Sequence, residues 1–367
     1  MPQNRITGAQ AIINACEQHG VEYIYGYPGG NCIPIFDALY DSPIKLILSR
    51  HEQGATHMAD GYARASGKAG VVLVTSGPGA TNTITGILTA HMDSIPMVVI
   101  TGQTVTHSLG LDAFQEADVS GISFPVVKHS YMIKNPAEIP GVMREAFYLA
   151  ESGRPGPVLI DVPKDLSGAL FTPDKDTAMN LPGYSVPDTI DKQVIEKVAE
   201  KLRQAKRPLL LVGQGVVISG ADETVRKFAE KVQVPVVTTM LGKGAFPETH
   251  DLALGMLGMH GTAYANKAVE ACDFIMSIGS RFDDRILGDP DLFCDGAIKV
   301  HIDIDPAEEN KSITVDHFIL GDAQDVMEYF SKIAAKGDTA AWLVRSGSGG
   351  RSSRLSMERR TDSRHST

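Results

Sequence analysis

Glu52 stands where a carboxylate could take part in chemistry. It follows the apolar run 45–49, and the apolar residues of the next segment, 55–63, recur at helical spacing. Glu52 is therefore predicted at the carboxyl end of a strand, the edge at which open α/β sheets bind ligands. Taken alone, the glutamate could also do no more than complement the dipole of the helix, which is worth about 0.3 to 1 kcal/mol. The neighbouring loops bear on this choice.

Two glycine-rich loops are predicted at the same edge, because each follows a strand and precedes a helix. They are residues 26–30 (GYPGG) and 75–82 (TSGPGATN). Glycine lets a backbone approach a ligand closely and present its N–H groups at a helix N-terminus. Neither loop has the pattern G-x-x-x-x-G-K-[ST], so a nucleoside-triphosphate P-loop is not expected. As isolated patterns, both could be ordinary tight turns.

A second set of glycine-rich and polar stretches occurs in the second half of the chain, mostly at or just beyond the ends of predicted strands. These stretches are 213–215 (GQG), 239–241 (TML), 257–261 (LGMHG), 279–285 (GSRFDDR), 303–305 (DID) and 321–323 (GDA). GQG alone is a weak dinucleotide signal, because the full G-x-G-x-x-G spacing fails. Arg281 and Arg285 suit phosphate contacts because the guanidinium fork matches phosphate geometry. Asp303 or Asp322 could accept a hydrogen bond from ribose or adenine. For residues 279–285, a salt-bridged loop remains the alternative.

The elements that must position these residues alternate between short β-rich runs and helical stretches. Such alternation predicts parallel strands joined by helical crossovers. Several strands are apolar almost throughout, as is typical of strands covered on both faces. The predicted strands are 23–27, 45–49, 71–76, 97–102 and 158–162 in the first half, and 208–213, 234–239, 274–279, 298–303 and 317–321 in the second. The predicted fold class is α/β, with two successive doubly wound parallel-sheet domains.

The domain boundaries follow from changes in composition. Residues 169–188 carry prolines and no sustained period, which predicts a linker between a domain at 1–168 and a domain at 189–343. Residues 344–367 hold six arginines, no lysine and seven serines, which predicts a disordered Arg/Ser-rich tail. A shifted reading frame, a fusion scar or a genuine basic tail would each explain that composition.

Bulk composition excludes several classes of function. The net charge is -10, so neither nucleic acid nor a membrane surface is an expected partner. Four scattered cysteines without a C-x-x-C pair disfavour a disulfide framework and a zinc site, and they favour a reduced, cytoplasmic compartment. The N-terminal segment lacks a long apolar region, and no run of about 18 apolar residues occurs, so secretion and membrane spanning are not expected.

Seven segments of the first half occur in an order that resembles the pyrimidine-binding domain of acetolactate synthase large catalytic subunits. They are GYPGG, RHEQGA, GVVLVTSGPGATN, MDSIP, AFQEADV, GISFPVVKHS and SGRPGPVLIDVPKD. The resemblance to these thiamine-diphosphate-dependent carboligases extends over about residues 5–343. AFQEADV together with PVVKHS favours acetolactate synthase over other thiamine enzymes. The resemblance implies a thiamine-diphosphate pyrimidine-binding domain followed by an FAD-binding-type middle domain.

The resemblance implies that Glu52 bonds N1′ of the aminopyrimidine of thiamine diphosphate and thereby activates the cofactor. Pyruvate would be decarboxylated and joined to a second 2-oxo acid, pyruvate or 2-oxobutyrate, to form 2-acetolactate or 2-aceto-2-hydroxybutyrate in branched-chain amino acid biosynthesis. Further positions match those lining the cofactor site, namely Pro78, Asn82 and Gln115, and those near the substrate channel, namely Gly30 and Lys164. Glu52, Gly30, Gln115 and Lys164 are the predicted catalytic residues.

The resemblance also implies FAD, with a structural rather than a redox role. The matching positions are Arg154 from the first domain and, in the second, Gly213, Gly215, Thr239, Met240, Leu257, Gly258, Met259, His260, Gly279, Arg281, Asp283, Arg285, Asp303, Ile304, Asp322 and Ala323. Enzymes of the family hold the diphosphate through Mg²⁺ on a Gly-Asp-Gly segment and a downstream Asn of a third domain. No Gly-Asp-Gly occurs here. The chain is therefore expected to be C-terminally truncated, to lack metal ligands and not to bind thiamine diphosphate tightly on its own. A homo-oligomer, with a possible small regulatory subunit, is expected by analogy.

Other interpretations remain open at the level of sequence. A flavin-containing relative of the pyruvate oxidase or glyoxylate carboligase type is the alternative enzyme, although Glu52 speaks against glyoxylate carboligase, in which a valine is expected at the matching position. A redox-active flavin would favour the oxidase. The chain could also be a non-catalytic, truncated FAD-binding protein or a dominant-negative partner of the intact enzyme. Without the resemblance, its two domains would suggest a nucleotide-binding oxidoreductase.

Overall fold

A computed structural model describes residues 5–173 and 178–346 of the chain. The chain divides into two units, Met1–Ser185 and Val186–Thr367. The division falls inside the stretch 169–188 that the sequence analysis assigns to a linker. The predicted disordered tail lies outside the described residues from 347 onward, and its residues 344–346 belong to a helix, Ala340–Ser346.

The first unit contains a sheet whose order, over the described residues, is β3-β2-β4-β5-β7-β6, with every neighbouring pair parallel. The strands are β1 Ile6–Thr7, β2 Tyr23–Tyr27, β3 Lys45–Leu48, β4 Gly70–Val74, β5 Met97–Gln103, β6 His129–Met132, β7 Pro157–Pro163 and β8 Leu170–Phe171. The helices are α1 Gly8–Gln18, α2 Ile33–Tyr40, α3 Glu52–Ser66, α4 Pro78–Thr81, α5 Ile84–Met92, α6 Val119–Ser123, α7 Ile139–Glu151 and α8 Lys164–Gly168. Short 3-10 turns lie at Thr106–Ser108, Phe124–Val126 and Pro136–Glu138.

The strand order of this sheet reverses between β2 and β4. The chain runs from β2 outward to β3 and then returns past β2 to β4, which makes the gap between β2 and β4 a topological switch point, the place where open α/β sheets bind ligands. Apolar clusters cover both faces of the sheet, because alternate residues of β4 point to opposite sides: Val71 and Leu73 belong to one cluster, Val72 and Val74 to the other.

Two contacts bring residues from far apart in the chain together at the margin of this unit. β1 pairs with β8 in antiparallel register, Ile6 opposite Phe171. Lys128 Nζ donates to the carbonyl of Leu149 at 2.6 Å and to the hydroxyl of Tyr184 at 2.9 Å. Residues 170–171 and 184 of the predicted linker are therefore packed parts of the first unit.

The second unit contains a parallel sheet whose order, over the described residues, is β11-β10-β9-β12-β13-β14. The strands are β9 Pro208–Val212, β10 Val236–Thr238, β11 Ala253–Met256, β12 Phe274–Ile278, β13 Ile298–Asp303 and β14 His317–Leu320. The helices are α9 Lys192–Gln204, α10 Gln214–Ile218, α11 Asp222–Val232, α12 Ala263–Ala271, α13 Asp284–Leu287, α14 Ala323–Ile333 and α15 Ala340–Ser346, with a 3-10 turn at Pro306–Glu308. Counted along the chain, this is the order 3-2-1-4-5-6 of dinucleotide-binding folds, with its switch point between β9 and β12.

Apolar clusters also cover both faces of the second sheet, with Leu210 and Val212 on one side and Leu209 and Leu211 on the other. The predicted fold class, two parallel-sheet α/β domains, is confirmed. The strands β6 and β11 were not predicted, because each has four residues and is partly exposed, so neither stands out as an apolar run. Along the described stretches, no helix combines the length and the apolar character needed to cross a lipid bilayer.

Candidate cofactor sites

Glu52 is the first residue of α3, and its side chain is held by a residue from another loop. His51 caps the helix by accepting the Gln53 N–H on Nδ1 at 3.1 Å. The Glu52 side chain is nearly buried, with 8% of the residue exposed, and Oε2 accepts from Asn82 Nδ2 at 3.0 Å. Oε1 faces Gly79, where an added Cβ would lie 3.4 Å from it. The structure thus brings together two predicted site residues that are 30 positions apart.

The loops after β2 and β4 meet at the switch point of the first sheet. The Asn31 backbone N–H donates to Thr75 Oγ1 at 3.3 Å, and its side-chain amide donates to Ser76 Oγ at 2.6 Å. Gly29 is needed for this approach, because a Cβ there would lie 2.5 Å from the methyl group of Thr75. Pro78 opens α4 directly after these contacts. The two glycine-rich loops therefore form one connected edge rather than two independent turns.

The segment carrying Gln115 is locked against the same edge. Gln115 has φ 57°, and a Cβ on Gly77 would lie 2.6 Å from the Gln115 carbonyl oxygen. Gly77 itself has φ 55°. A non-glycine residue in this conformation costs on the order of 1–3 kcal/mol and persists only where its surroundings hold it. Gln103 helps to keep this segment in place, since its Nε2 donates a hydrogen bond to the Ala117 carbonyl at 2.9 Å.

Asp161 is a buried acid that sequence reasoning missed. It is fully buried within β7 and accepts from Thr101 Oγ1 at 2.6 Å and Gln103 Nε2 at 2.8 Å. Burial raises the pKa of Asp161 to about 7, against the effect of these two hydrogen bonds, and the charge of Asp118 raises it further. The signal was present in the sequence as one acid inside the otherwise apolar run VLIDVP.

The remaining predicted site residues of the first unit are Lys164, Gly30 and Arg154. Lys164 begins α8 at the end of β7. The helix α8 packs against α2, which begins shortly after the loop that contains Gly30. A Cβ on Gly30 would meet nothing within 4 Å. Arg154 Nε donates to Ser94 Oγ at 2.9 Å, within the first unit.

In the second unit, Gly213, Gly215 and Gly279 lie at the switch point and pack on one another. A Cβ on Gly213 would lie 2.1 Å from the Gly279 carbonyl oxygen, and one on Gly215 would lie 2.7 Å from Gly279 Cα. The Gly215 N–H donates to the Gly279 carbonyl at 3.0 Å. Close packing between the ends of β9 and β12 therefore already requires these glycines, whether or not a ligand approaches them.

The remaining predicted FAD residues of the second unit lie on the loops that follow its strands. Thr239 and Met240 follow β10, and Leu257, Gly258, Met259 and His260 follow β11. Arg281, Asp283 and Arg285 follow β12, Ile304 follows Asp303 at the end of β13, and Asp322 and Ala323 begin α14 after β14. The Met259 N–H donates to the Arg285 carbonyl at 2.9 Å, which joins two of these loops.

Some polar side chains of this edge already form hydrogen bonds or an ion pair with neighbouring residues of the same loops. Asp283 and Asp322 cap α13 and α14 by accepting backbone N–H groups. Burial raises the pKa of Asp322. Arg285 Nε is 3.7 Å from Asp284 Oδ2, an exposed pair. Arg281 forms no ion pair among the described residues, whereas Arg285 and Asp284 form one within the loop.

Comparison with known proteins identifies both units. Residues 6–122 match the N-terminal TPP binding domain of thiamine pyrophosphate enzymes, and residues 195–330 match their central domain. The chain belongs to the thiamine pyrophosphate enzyme family. The predicted resemblance to acetolactate synthase large subunits is also confirmed, because several of these proteins are about half identical to it.

Three of these relatives illustrate the extent of the similarity. The acetolactate synthase of Arthrospira platensis is 49% identical over 332 residues, covering 88% of this chain and 57% of the relative. The probable acetolactate synthase large subunit of Methanocaldococcus jannaschii is 52% identical over 324 residues, covering 87% and 55%. The acetolactate synthase large subunit of Parasynechococcus marenigrum is 48% identical over 350 residues, covering 93% and 57%. The chain thus spans 55–57% of the length of these relatives.

The first unit of this member of the thiamine pyrophosphate enzyme family has a polar edge that suits an aminopyrimidine. A nearly buried carboxylate faces a loop of small residues, 77–80, and is fixed from one side by Asn82. A protonated ring nitrogen could bond such a carboxylate directly. No cluster of three or more His, Cys, Asp or Glu side chains suited to a metal ion occurs within residues 5–173 and 178–346.

The second unit fits a polar ligand for a different reason. Three of its buried polar atoms at or next to the carboxyl edge find no hydrogen-bond partner among the described residues: Thr238 Oγ1, His301 Nε2 and Gln324 Oε1. Leaving such a group unpaired costs about 1–3 kcal/mol. Buried polar groups in folded proteins are nearly always paired, so this edge has unused capacity for the hydroxyl and amino groups of a dinucleotide.

Proposed function

We propose that this chain acts in an acetolactate synthase catalytic subunit, a thiamine-diphosphate-dependent transferase that joins pyruvate to a second 2-oxo acid. The observation that carries the proposal is the nearly buried carboxylate of Glu52, fixed by Asn82 at the switch point of a sheet, in a chain about half identical to acetolactate synthases. The products would be 2-acetolactate from pyruvate and 2-aceto-2-hydroxybutyrate from 2-oxobutyrate.

Glu52 is proposed to hold the proton at N1′ of the aminopyrimidine. When bound, thiamine diphosphate supplies the carbon nucleophile and the electron sink that a 2-oxo acid needs to lose carbon dioxide. Asn82 keeps the carboxylate in one rotamer, because its amide bonds one oxygen and leaves the other directed toward Gly79. Pro78 and Gln115 would line the same pocket, on loops that are locked together through Gly77.

Gly30 and Lys164 are proposed to serve the substrates. Gly30 borders open space, so a small 2-oxo acid could pass close to the backbone there. Lys164 begins α8, which packs against the helix that follows this loop, and its ammonium group would attract the carboxylate of pyruvate or 2-oxobutyrate.

FAD is proposed to bind along the carboxyl edge of the second sheet, as a structural rather than a redox group. The support is the 3-2-1-4-5-6 strand order, the unpaired buried oxygens of Thr238 and Gln324, and the arginine at 281 without an ion pair among the described residues. Arg281 and Arg285 would hold phosphate, and Asp303 would accept from a ribose hydroxyl. Arg154 of the first unit is also proposed as an FAD-binding residue. Mg²⁺ is proposed as the counter-ion of the thiamine diphosphate, and no metal ligand is assigned within this chain.

The protein is further proposed to form a homo-oligomer in the cytoplasm, together with a small regulatory subunit. The names of the relatives include "large subunit", which supports a second subunit in those proteins. The four cysteines, Cys16, Cys32, Cys272 and Cys294, are all free and buried, as in a reducing compartment.

The test is acetolactate formation from pyruvate by the 367-residue chain with thiamine diphosphate, Mg²⁺ and FAD. The chain is assayed alone and mixed with a relative's large subunit whose own matching glutamate is replaced by glutamine. The resemblance to the family implies an active site formed between two subunits. The partner is therefore inactive by itself, and the mixture regains activity only if Glu52 supplies the missing carboxylate to that shared site. Product is expected in the mixture and not when the chain carries Glu52→Gln, because placed acid–base groups contribute about 10²- to 10⁴-fold in rate.

An exposed acid provides the control. Glu17 accepts from Ser42 Oγ on the surface of the first unit, so Glu17→Gln should leave product formation unchanged. A mixture that binds FAD and assembles but forms no product would overturn the catalytic proposal and favour a non-catalytic FAD-binding protein. Reduction of the bound flavin by pyruvate would instead indicate an oxidase.

A further inference from the structure

His301 is a buried histidine at the proposed FAD edge whose Nε2 atom lacks a hydrogen-bond partner among the described residues. It lies within β13 and is 1% exposed. Its neighbours across the sheet are Ser277 of β12 and Phe318 of β14. A core position of this kind normally carries an apolar residue, because a buried nitrogen without a partner destabilises the fold. The imidazole therefore calls for an explanation other than core packing.

The acid nearest to this nitrogen is Asp303, two residues further along the same strand. His301 Nε2 lies 3.5 Å from Asp303 Oδ2, slightly too far for a good hydrogen bond. The other carboxylate oxygen, Oδ1, accepts from the Asp305 N–H at 3.0 Å. Hydrogen bonds of this kind often shorten only when the ligand is bound. Asp303 thus has one oxygen fixed by the backbone and the other within a small rotation of a buried donor.

The ring of His301 also supports the arginine-bearing loop 279–285. Phe282 packs edge-on against it, with ring centroids 4.9 Å apart, and Phe318 packs in the same way at 5.4 Å. Phe282 has φ 52°, a backbone conformation that bulky residues rarely adopt. The buried contact with His301 helps to hold Phe282 in that conformation, and with it the neighbouring Arg281. His301 therefore touches two of the stretches assigned to the dinucleotide.

We propose that His301 is a positioning residue of the dinucleotide site: its Nε2–H donates to Asp303 Oδ2 while Asp303 accepts from a ribose hydroxyl, and its ring fixes Phe282. The inference rests on the proposed FAD site and deepens it by assigning the buried layer behind the residues that touch the ligand. His301 itself does not contact FAD. Its effect on binding passes through Asp303 and through the loop at 279–285.

The experiment measures the Kd of the full chain for FAD by flavin fluorescence, together with the melting temperature. His301→Phe keeps an aromatic ring against Phe282 and removes the donor, and His301→Gln keeps a donor. The expected result is roughly tenfold weaker FAD binding for His301→Phe, the size of a lost hydrogen bond to a charged group, and a smaller loss for His301→Gln. His317→Gln is the matched control, since His317 begins the neighbouring strand β14 at the opposite edge of the sheet.

A double-mutant cycle separates positioning from general packing. Asp303→Ala removes the acceptor, so adding His301→Phe to it should weaken FAD binding little further. Additive losses would overturn the inference, and so would a His301→Phe variant that binds FAD as tightly as the wild type. A wild-type chain that does not bind FAD would overturn the proposed flavin site and the inference with it.

A spectroscopic measurement covers the case in which His301→Phe does not fold. In the full chain labelled with ¹⁵N-histidine, a protonated Nε2 whose resonance shifts in Asp303→Ala supports the proposed hydrogen bond. A proton on Nδ1, with Nε2 bare and insensitive to Asp303→Ala, overturns it.

Discussion

The carboxyl edges of the two sheets differ in how their buried polar groups are paired. At the first edge, Glu52 is bonded to Asn82 and Asp161 to Gln103, and the two glycine-rich loops are bonded to each other. At the second edge, three buried polar atoms lack a partner among the described residues, compared with one, Ser120 Oγ, in the helix that follows the Gln115 segment of the first unit. The first edge is thus paired mostly within the protein, whereas the second has unpaired groups that the proposed FAD would complete.

This difference suits two different tasks. A group that must hold a proton at one atom works best when its orientation is fixed in advance. A group that only binds a structural cofactor can leave its hydrogen bonds to the cofactor, which then stabilises the folded state by mass action. The comparison can be tested at each edge separately.

FAD is expected to stabilise the second unit more than the loop substitution Gly77→Ala destabilises the first. At 100 times its Kd, a ligand that binds only the folded state contributes about 2.7 kcal/mol. We expect FAD to raise the melting temperature in calorimetry by that amount of stabilisation, whereas thiamine diphosphate with Mg²⁺ at the same concentration shifts it less. An equal or larger shift with thiamine diphosphate would contradict the contrast between the edges.

Gly77→Ala should loosen the prearranged first edge. The new Cβ would lie 2.6 Å from the Gln115 carbonyl, and φ is 55° there, so we expect a loss of about 2 kcal/mol in the free energy of unfolding. Gly54→Ala is the control in the same unit, because a Cβ in that helix position meets nothing within 4 Å. It should be neutral or stabilising in urea titrations. Equal losses for both variants would disprove the interlocking of the loops.

Asn82→Ala should affect catalysis rather than folding. It removes the hydrogen bond that orients Glu52, which is worth roughly tenfold in rate for a bond to a charged group. The measurement is acetolactate formation in the mixed assay, with the melting temperature followed in parallel. Asn180→Ala, at an exposed position of the same unit, should leave the rate unchanged. Full activity of Asn82→Ala would show that Glu52 is oriented by something else.

Asp161→Asn should change how stability depends on pH. The folded-state pKa of about 7 lies above the ordinary value of 3.8, so between pH 4 and 7 the folded chain keeps a proton that the unfolded chain releases. Stability from this group is therefore present below about pH 4 and is lost as pH rises, by about 1.4 kcal/mol per unit. Urea titrations at pH 5 and pH 8 should show Asp161→Asn gaining relative to the wild type at the higher pH.

Asp165 should make stability depend on pH in the opposite direction. Burial acts to raise the pKa of Asp165, but hydrogen bonds from Thr106 outweigh it and lower the pKa. Stability from Asp165 is therefore lost as pH falls. Asp165→Asn should lose stability relative to the wild type at pH 8 and recover at low pH, and parallel profiles for the two variants would refute the assignment of Asp161.

The fold could be read from the sequence to a large extent, because buried parallel strands are apolar runs. The β2 strand was predicted with its observed bounds, and the strands that were missed, β6 and β11, are short and partly exposed. The pairing of β1 with β8 was also missed, since two residues carry no periodic signal. The rule that carboxyl ends of parallel strands share one edge sufficed to predict that the loops carrying Glu52 and Asn82 lie together.

The buried partners of the site could not be predicted in the same way. The contacts of His301 with Phe282 and Asp303 depend on register, on a positive φ and on rotamers, none of which is written in local composition. The role of the glycines at 213, 215 and 279 was equally hidden, because a pattern cannot distinguish packing between backbones from approach to a ligand. The roles of the individual cofactor residues remain predictions.

The closure of the first unit by β1 and β8 determines where an autonomous fragment could be cut. Ile6 pairs with Phe171, and Tyr184 is bonded to Lys128, so a fragment that stopped at residue 168 would leave the edge of β1 open and the amine of Lys128 without one of its acceptors. Open strand edges template aggregation. A fragment extending through Tyr184 keeps both contacts and should resist that aggregation.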